Sequence, residues 1–249
     1  PVHQGRACEN LLSLLYVKEG TYVPMNYHFT TTKAHIGVNG GKVLELFMPD
    51  ALNPISSVPF KGNINLDELQ KLIDKEGADK IAFIRIEAGT NLIGGQPVAL
   101  ENFIATSKIA RKYKIPFVID ASLLADNLHF IKTREEKYKN SSIPEITKMI
   151  SDTADIIYFS ARKLGHVRGG GIITNDESIY KKILEMLPLY EGFATYGGMS
   201  TREMEAMTVG LDETMDEEMI NQGPIFIKYM VDQLVKLGIP VITPAGGLG

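Results

Sequence analysis

Short β-branched runs alternate along this chain with longer stretches of helical periodicity, and this alternation limits the possible folds more than any other feature. The runs at 81–86, 116–120, 156–160 and 171–174 read as strands buried on both faces. Between or beside them, residues 67–76, 101–113, 143–151 and 176–187 carry apolar positions three and four apart. Asn65 and Asp67 precede Leu69, Leu72 and Ile73, and Gly77 falls where a left-handed C-cap would end that helix. Strand–helix–strand repetition at this spacing predicts right-handed crossovers and a mostly parallel sheet with helices on both faces. The fold class is α/β.

Beyond the last strand, the pattern predicts a Met- and Glu-rich helix over 201–218, and a second helix over 225–237 after Gly223-Pro224. A strand is expected over 241–243. This divides the chain into a large domain at 1–217 and, at 218–249, a connecting helix with the start of an incomplete small domain. The sequence opens at Pro1 and closes on Gly246-Gly247-Leu248-Gly249, which reads as a trimmed chain, and no basic segment with an apolar core predicts a secretory leader.

Composition narrows the function classes. The 249 residues suit one large domain or one with part of another. The 26 basic and 30 acidic side chains leave a net charge of −4, which argues against a nucleic-acid or anionic-membrane surface. Runs such as 156–159 are far too short to span a bilayer. A single cysteine, Cys8, makes neither an internal disulfide nor a Cys-based zinc site, and the expectation is a reducing, cytoplasmic location. His3, His28, His35, His129 and His166 show no metal-ligand spacing, so no side-chain metal site is expected.

In parallel sheets, ligands bind at the carboxyl ends of strands. Asp120 ends one apolar strand, Ser160-Ala161-Arg162-Lys163 follows another, and Asn91 follows the strand near Glu87. An acid closing an apolar strand needs a cationic or donor partner. A lysine that forms a Schiff base, with an aspartate facing a pyridinium nitrogen, is the recurring frame for pyridoxal phosphate. Either residue alone has an ordinary reading: a turn aspartate, and a solvated surface lysine. Gln4-Gly5-Arg6 opens an apolar helical pattern, either a plain helix start or a place where bare N–H groups and a guanidinium receive a phosphate. Phe29, before Thr30-Thr31-Thr32, is either core or a ring-stacking aromatic. Gly169-Gly170-Gly171 lacks the dinucleotide-binding pattern and reads as a close approach between strands.

With these residues laid out, the chain resembles the β-eliminating lyase family of tyrosine phenol-lyase and tryptophanase. The likeness runs from Pro1 to Gly247, through Phe29-Thr30-Thr31-Thr32, the stretch 91–97, Asp126-Asn127, and the stretch 191–198. It implies the large-domain fold of fold-type I pyridoxal-phosphate enzymes, with Gln4, Gly5, Arg6 and Ser160 as the phosphate set and Phe29 as the stacking ring. Asn91 would donate to the cofactor's phenolic oxygen, Asp120 would pair with the pyridinium, and Lys163 would carry the Schiff base. Arg162 stands where the family usually has a second lysine. Thr30 matches a threonine that contacts the phenol hydroxyl in the tyrosine phenol-lyase branch. The family's arginine three residues after the aspartate is Leu123 here, the residue after the Schiff-base lysine is Leu164, and the late family histidine is Leu248.

The resemblance implies β-elimination on an L-amino acid, tyrosine-like or cysteine- or serine-like, to pyruvate and ammonia. It also implies a monovalent cation and a homodimer or homotetramer, in which an N-terminal arm and a small domain outside this chain complete the site. Two alternatives stay open: a cofactor-binding but catalytically incomplete piece or scaffold, and a relative with altered chemistry such as aldol cleavage or transamination.

Overall fold

In the computed structural model, which describes residues 1–193 and 197–248, six strands form one sheet. They are β1 (Tyr22–Met25), β2 (Lys42–Glu45), β3 (Ile84–Glu87), β4 (Phe117–Asp120), β5 (Ile156–Ser160) and β6 (Gly170–Thr174). The order across the sheet is β2-β1-β3-β4-β5-β6, parallel throughout except that β6 runs antiparallel to β5. Only the short 161–169 turn joins those two strands, too little chain for a crossover helix.

The helices are α1 (Gly5–Tyr16), α2 (Thr30–Val38), α3 (Leu66–Glu76), α4 (Leu100–Tyr113), α5 (Leu124–Arg134), α6 (Ile143–Ser151), α7 (Glu177–Tyr190), α8 (Thr201–Glu213) and α9 (Glu217–Lys236). Local chemistry starts and stops them. Asn65 Oδ1 accepts from Glu68 N at 3.2 Å to open α3, and Gly77, with φ of 88°, ends it. Ser142 and Glu145 form a reciprocal capping box at α6, the Ser142 N–H donating to Glu145 Oε2 at 2.7 Å.

Each central strand divides its residues between two cores. Ile84, Ile86, Phe117, Ile119 and Phe159 face the cluster built with α3 to α6. Val118, Ile156 and Tyr158 face the other, with Cys8, Leu11 and Leu12 of α1. Arg85, Glu87 and Asp120 share that second face, because the pleat alternates and Glu87 lies in register with Asp120.

Two expectations fail near the end of the chain. The helix break falls at 214–216, not at Gly223-Pro224, because Asp216 Oδ1 accepts from Met219 N at 3.0 Å and caps a new helix. Pro224 lies inside α9, and Gly223 is there for packing: a Cβ on it would stand 2.7 Å from Leu248 Cδ1. Residues 241–243 form no strand, since the Thr243 N–H and hydroxyl both donate to the Pro54 carbonyl, at 2.8 and 2.9 Å. The closing segment is tied to α5, with Leu248 N on Asp126 Oδ2 at 2.7 Å and Arg134 Nη2 on the Ala245 carbonyl at 2.6 Å. Among the described residues, no helix is long and apolar enough to cross a membrane.

Candidate active site

A cleft of about 180 Å³ opens at the carboxyl ends of β4 and β5, built by three segments and faced by Phe29 and Thr31 at the start of α2. The first is the end of β4. Phe117, Val118 and Ile119 are buried and carry Asp120 to the strand's last position, 4 % exposed. The Ser122 N–H donates to Asp120 Oδ1 at 2.9 Å, an Asx-type turn that stops the strand and orients the carboxylate.

The second segment follows β5. The N–H groups of Lys163 and Leu164 both donate to the Ser160 carbonyl, at 3.1 and 3.0 Å, and the chain turns at once towards β6. That turn brings Lys163 to the cleft, with Nζ 4.7 Å from the centroid of the Phe29 ring and in no ion pair among the described residues. Arg162 is exposed and lines the same cleft.

The third segment is the start of α1. Gln4 makes no side-chain cap and no acid stands in the first turn; the Ala7 N–H donates to the Gln4 carbonyl at 3.0 Å, and the start of α1 brings its dipole to the cleft. Gly5 permits the approach: a Cβ there would lie 2.9 Å from Ser160 Cβ. Gly170 serves the same junction, since a Cβ on it would sit 2.5 Å from the Phe159 carbonyl, which agrees with the close-approach reading of that glycine run.

Gln4, Gly5, Arg6, Phe29, Asp120, Ser160, Arg162 and Lys163 therefore line one cleft. Thr30 and Asn91 are not among the lining residues. Thr30 is exposed at the first position of α2, and it is Thr31 that lines the cleft. The Thr31 hydroxyl donates to Glu9 Oε2 at 2.5 Å and that of Thr32 to Glu9 Oε1, so a buried carboxylate of α1 anchors the start of α2. Asn91 lies one turn beyond β3, its N–H donating to Glu87 Oε1 at 3.1 Å.

The sequence reading missed the charged floor of the site. Arg85, 0 % exposed, donates from Nη2 to Asp120 Oδ2 at 2.6 Å and from Nε to the Tyr158 hydroxyl at 2.9 Å, with Glu87 Oε2 farther off at 3.4 Å. Burial pushes Glu87 up to about 7, against the pull of Arg85. Burial likewise raises Glu9 and lifts Tyr158 well above the usual phenol range. A signal was available: Arg85 and Glu87 are charged residues two apart in an otherwise apolar strand, hence on one face.

A second cavity, of about 560 Å³, adjoins the cleft across Ser122, Arg162 and Lys163. Leu123, Met219 and Phe226 give it apolar walls, with Asp126 and His166 on its rim. No cluster of three metal-ligating side chains occurs among the described residues.

The donors suit a flat, phosphorylated pyridine aldehyde. The start of α1, Arg6 and the Ser160 hydroxyl would answer a dianion, Asp120 a ring cation, Phe29 would offer a face, and Lys163 an amine.

Residues 1–246 match the family model described as Beta-eliminating lyase. The chain is 40% identical over 248 residues to tyrosine phenol-lyase from Pasteurella multocida (strain Pm70), covering 99% of this chain and 54% of that protein. It is 41% identical over 249 residues to tyrosine phenol-lyase from Lacrimispora saccharolytica, with 99% and 53% covered. The chain thus spans about half the length of the curated relatives it matches. Among solved structures, Bna3p, a putative kynurenine aminotransferase from Saccharomyces cerevisiae, superposes with a TM-score of 0.69 at 17% identity, over 98% of this chain and 56% of that one. That likeness carries the fold, which is that of fold-type I pyridoxal-phosphate enzymes.

Proposed function

The chain belongs to the beta-eliminating lyase family, and we propose that it binds pyridoxal 5′-phosphate in the Asp120–Lys163 cleft for β-elimination from an L-amino acid, giving pyruvate and ammonia. The observation that carries this reading is one cleft with a lysine amine, a buried aspartate and an uncapped helix N-terminus on its walls. Bound there, the cofactor supplies a carbonyl for the substrate's amino group and a ring that accepts the electron pair left at Cα. Lys163 Nζ would hold the cofactor's carbonyl carbon and, as a free amine, would take the α-proton. Asp120 keeps a proton on the ring nitrogen. Arg6, Ser160 and the N–H groups of α1 hold the phosphate, and Phe29 orients the ring.

The test is direct. The purified chain with cofactor should show a visible absorption band that borohydride fixes onto Lys163, and pyruvate should appear from tyrosine, tryptophan, cysteine or serine. A band that survives Lys163→Ala sinks the lysine assignment. A tyrosine-like substrate is the first choice, on the 40% identity to a tyrosine phenol-lyase. Leu123 favours a second reading, cofactor binding with slow elimination. A monovalent cation belongs to the proposal by resemblance alone, and added potassium tests it through activity.

Self-association is also proposed. α9 exposes Ile225, Phe226 and Tyr229 at 60, 61 and 64 %, an apolar stripe that a second copy would cover. A clean monomer by light scattering at micromolar concentration overturns it.

A further inference from the structure

Arg85 occupies a central strand and is fully buried, so its charge needs counter-ions within the protein. Asp120 and Glu87 provide them, at 2.6 and 3.4 Å. The Tyr158 hydroxyl takes Nε, and the Tyr27 carbonyl accepts from Nη1 at 3.5 Å. Asp120 is therefore engaged before any ligand arrives. Oδ2 accepts from Arg85 and Oδ1 from the Ser122 N–H, which leaves roughly one free lone pair on each oxygen.

A carboxylate shared with a guanidinium is a weaker partner for a second cation. Its negative charge is already neutralised at short range, and the arginine's own charge repels a ring cation placed on its far side. Glu87 works the other way. It lies in register with Asp120 on the same face and draws on the same guanidinium, so an ionised Glu87 returns negative charge to the cluster. The other ionisable groups facing the cluster are Cys8 and Glu9 of α1, Tyr158 of β5 and Lys163 beyond it.

We propose that Arg85 is a positioning residue that fixes Asp120 from behind and, by taking part of its charge, loosens the hold of the ring nitrogen on its proton. Glu87 is the opposing element, tightening that hold when ionised. The inference rests on the cofactor site proposed above. Its consequence is a weaker electron sink than an unshared aspartate would give.

The experiment uses pyridoxal phosphate labelled with nitrogen-15 in the ring, bound to the full chain, and follows the nitrogen chemical shift with pH. Glu87→Gln should make the ring nitrogen lose its proton at lower pH than in the unmodified chain. Arg85→Met on the Glu87→Gln background, which differs from it only in the guanidinium, should move the midpoint back up by about one unit, tenfold in proton affinity. Coincident curves for the single and double variants overturn the role of Arg85. Should the double variant not fold, Glu87→Gln alone decides: a midpoint unmoved or raised overturns the shared-charge arrangement. An unmodified chain that takes up no labelled cofactor overturns the site itself, whereas uptake with unmoved midpoints overturns only this inference.

Discussion

The two faces of the sheet are made by the same strands and hold opposite contents. Towards α3 to α6, β3 and β4 present Ile84, Ile86, Phe117 and Ile119, all at or near zero exposure, and they join a large hydrophobic cluster. Towards α1, the same strands present Arg85, Glu87 and Asp120, equally buried. The first face is stabilised by burial of area, which is non-directional and forgiving. The second holds charges whose desolvation is costly unless every partner is in place. One face is built of apolar side chains from these strands, and the other adds to its apolar core the buried charges behind the candidate cleft.

The sharpest way to break this contrast is a pair of truncations one residue step apart in kind. Asp120→Ala removes one partner of a buried ion pair, a change worth roughly 3–5 kcal/mol. It should abolish tight cofactor binding as well as lower stability. Phe117→Ala on the opposite face should cost about 3–5 kcal/mol of stability, yet leave the cofactor affinity of the folded fraction alone. Denaturant unfolding with a parallel cofactor titration separates the two. If Phe117→Ala weakens cofactor binding as much as Asp120→Ala, the division between the faces is false.

Glu87 sharpens the comparison through pH. Its folded pKa of about 7 exceeds the ordinary carboxylate value of 4.5, so between those values the folded state holds a proton that the unfolded chain has released. Stability therefore falls as pH rises through that window, by on the order of 3 kcal/mol at most. Glu87→Gln should flatten the slope between pH 4.5 and 7 and stabilise the cofactor-free protein above it. An unchanged slope would mean that Glu87 is ionised at no cost.

This division of faces also explains what could be read from the sequence alone. Helices α3, α4, α6 and α7 declare themselves through periodicity and caps, and β3 to β6 through β-branched runs. β1 carries little local signal because Pro24 interrupts a strand of only four residues, and α5 because the polar Asp126 and Asn127 interrupt its apolar spacing. Both are in fact buried, with Asn127 Oδ1 accepting from the N–H groups of Gly89 and Val98, at 3.0 and 2.7 Å. Strand ends gave Asp120 and Lys163, because position along a strand is a local property. The partnership of Arg85 with Asp120 depends on the register of β3 against β4, across 35 residues of chain, and no local pattern encodes it.

The smallest effect is expected at Leu123, which tests whether the proposed cofactor binding is accompanied by efficient elimination. It is 7 % exposed and lines the larger cavity beside Arg162 and Lys163, with an apolar side chain that donates nothing. The family resemblance puts an arginine there, near the cofactor's phenolic oxygen. A charge-assisted hydrogen bond contributes about 1.5–3 kcal/mol, or roughly ten- to a hundredfold in rate. Leu123→Arg should therefore speed pyruvate release by that factor, with little change in cofactor affinity. The backbone imposes a condition: Leu123 is the N-cap of α5, and its Cβ would lie 2.8 Å from a Cβ on Gly89, so the longer side chain must extend into the cavity. A rate unchanged in a folded Leu123→Arg variant would mean either that Arg162, on the wall of both cavities, already supplies the donor or that proton delivery there does not limit turnover. Arg162→Ala, made on the unmodified chain, distinguishes these: a fall of tenfold or more identifies Arg162 as the donor, and no fall leaves another step limiting.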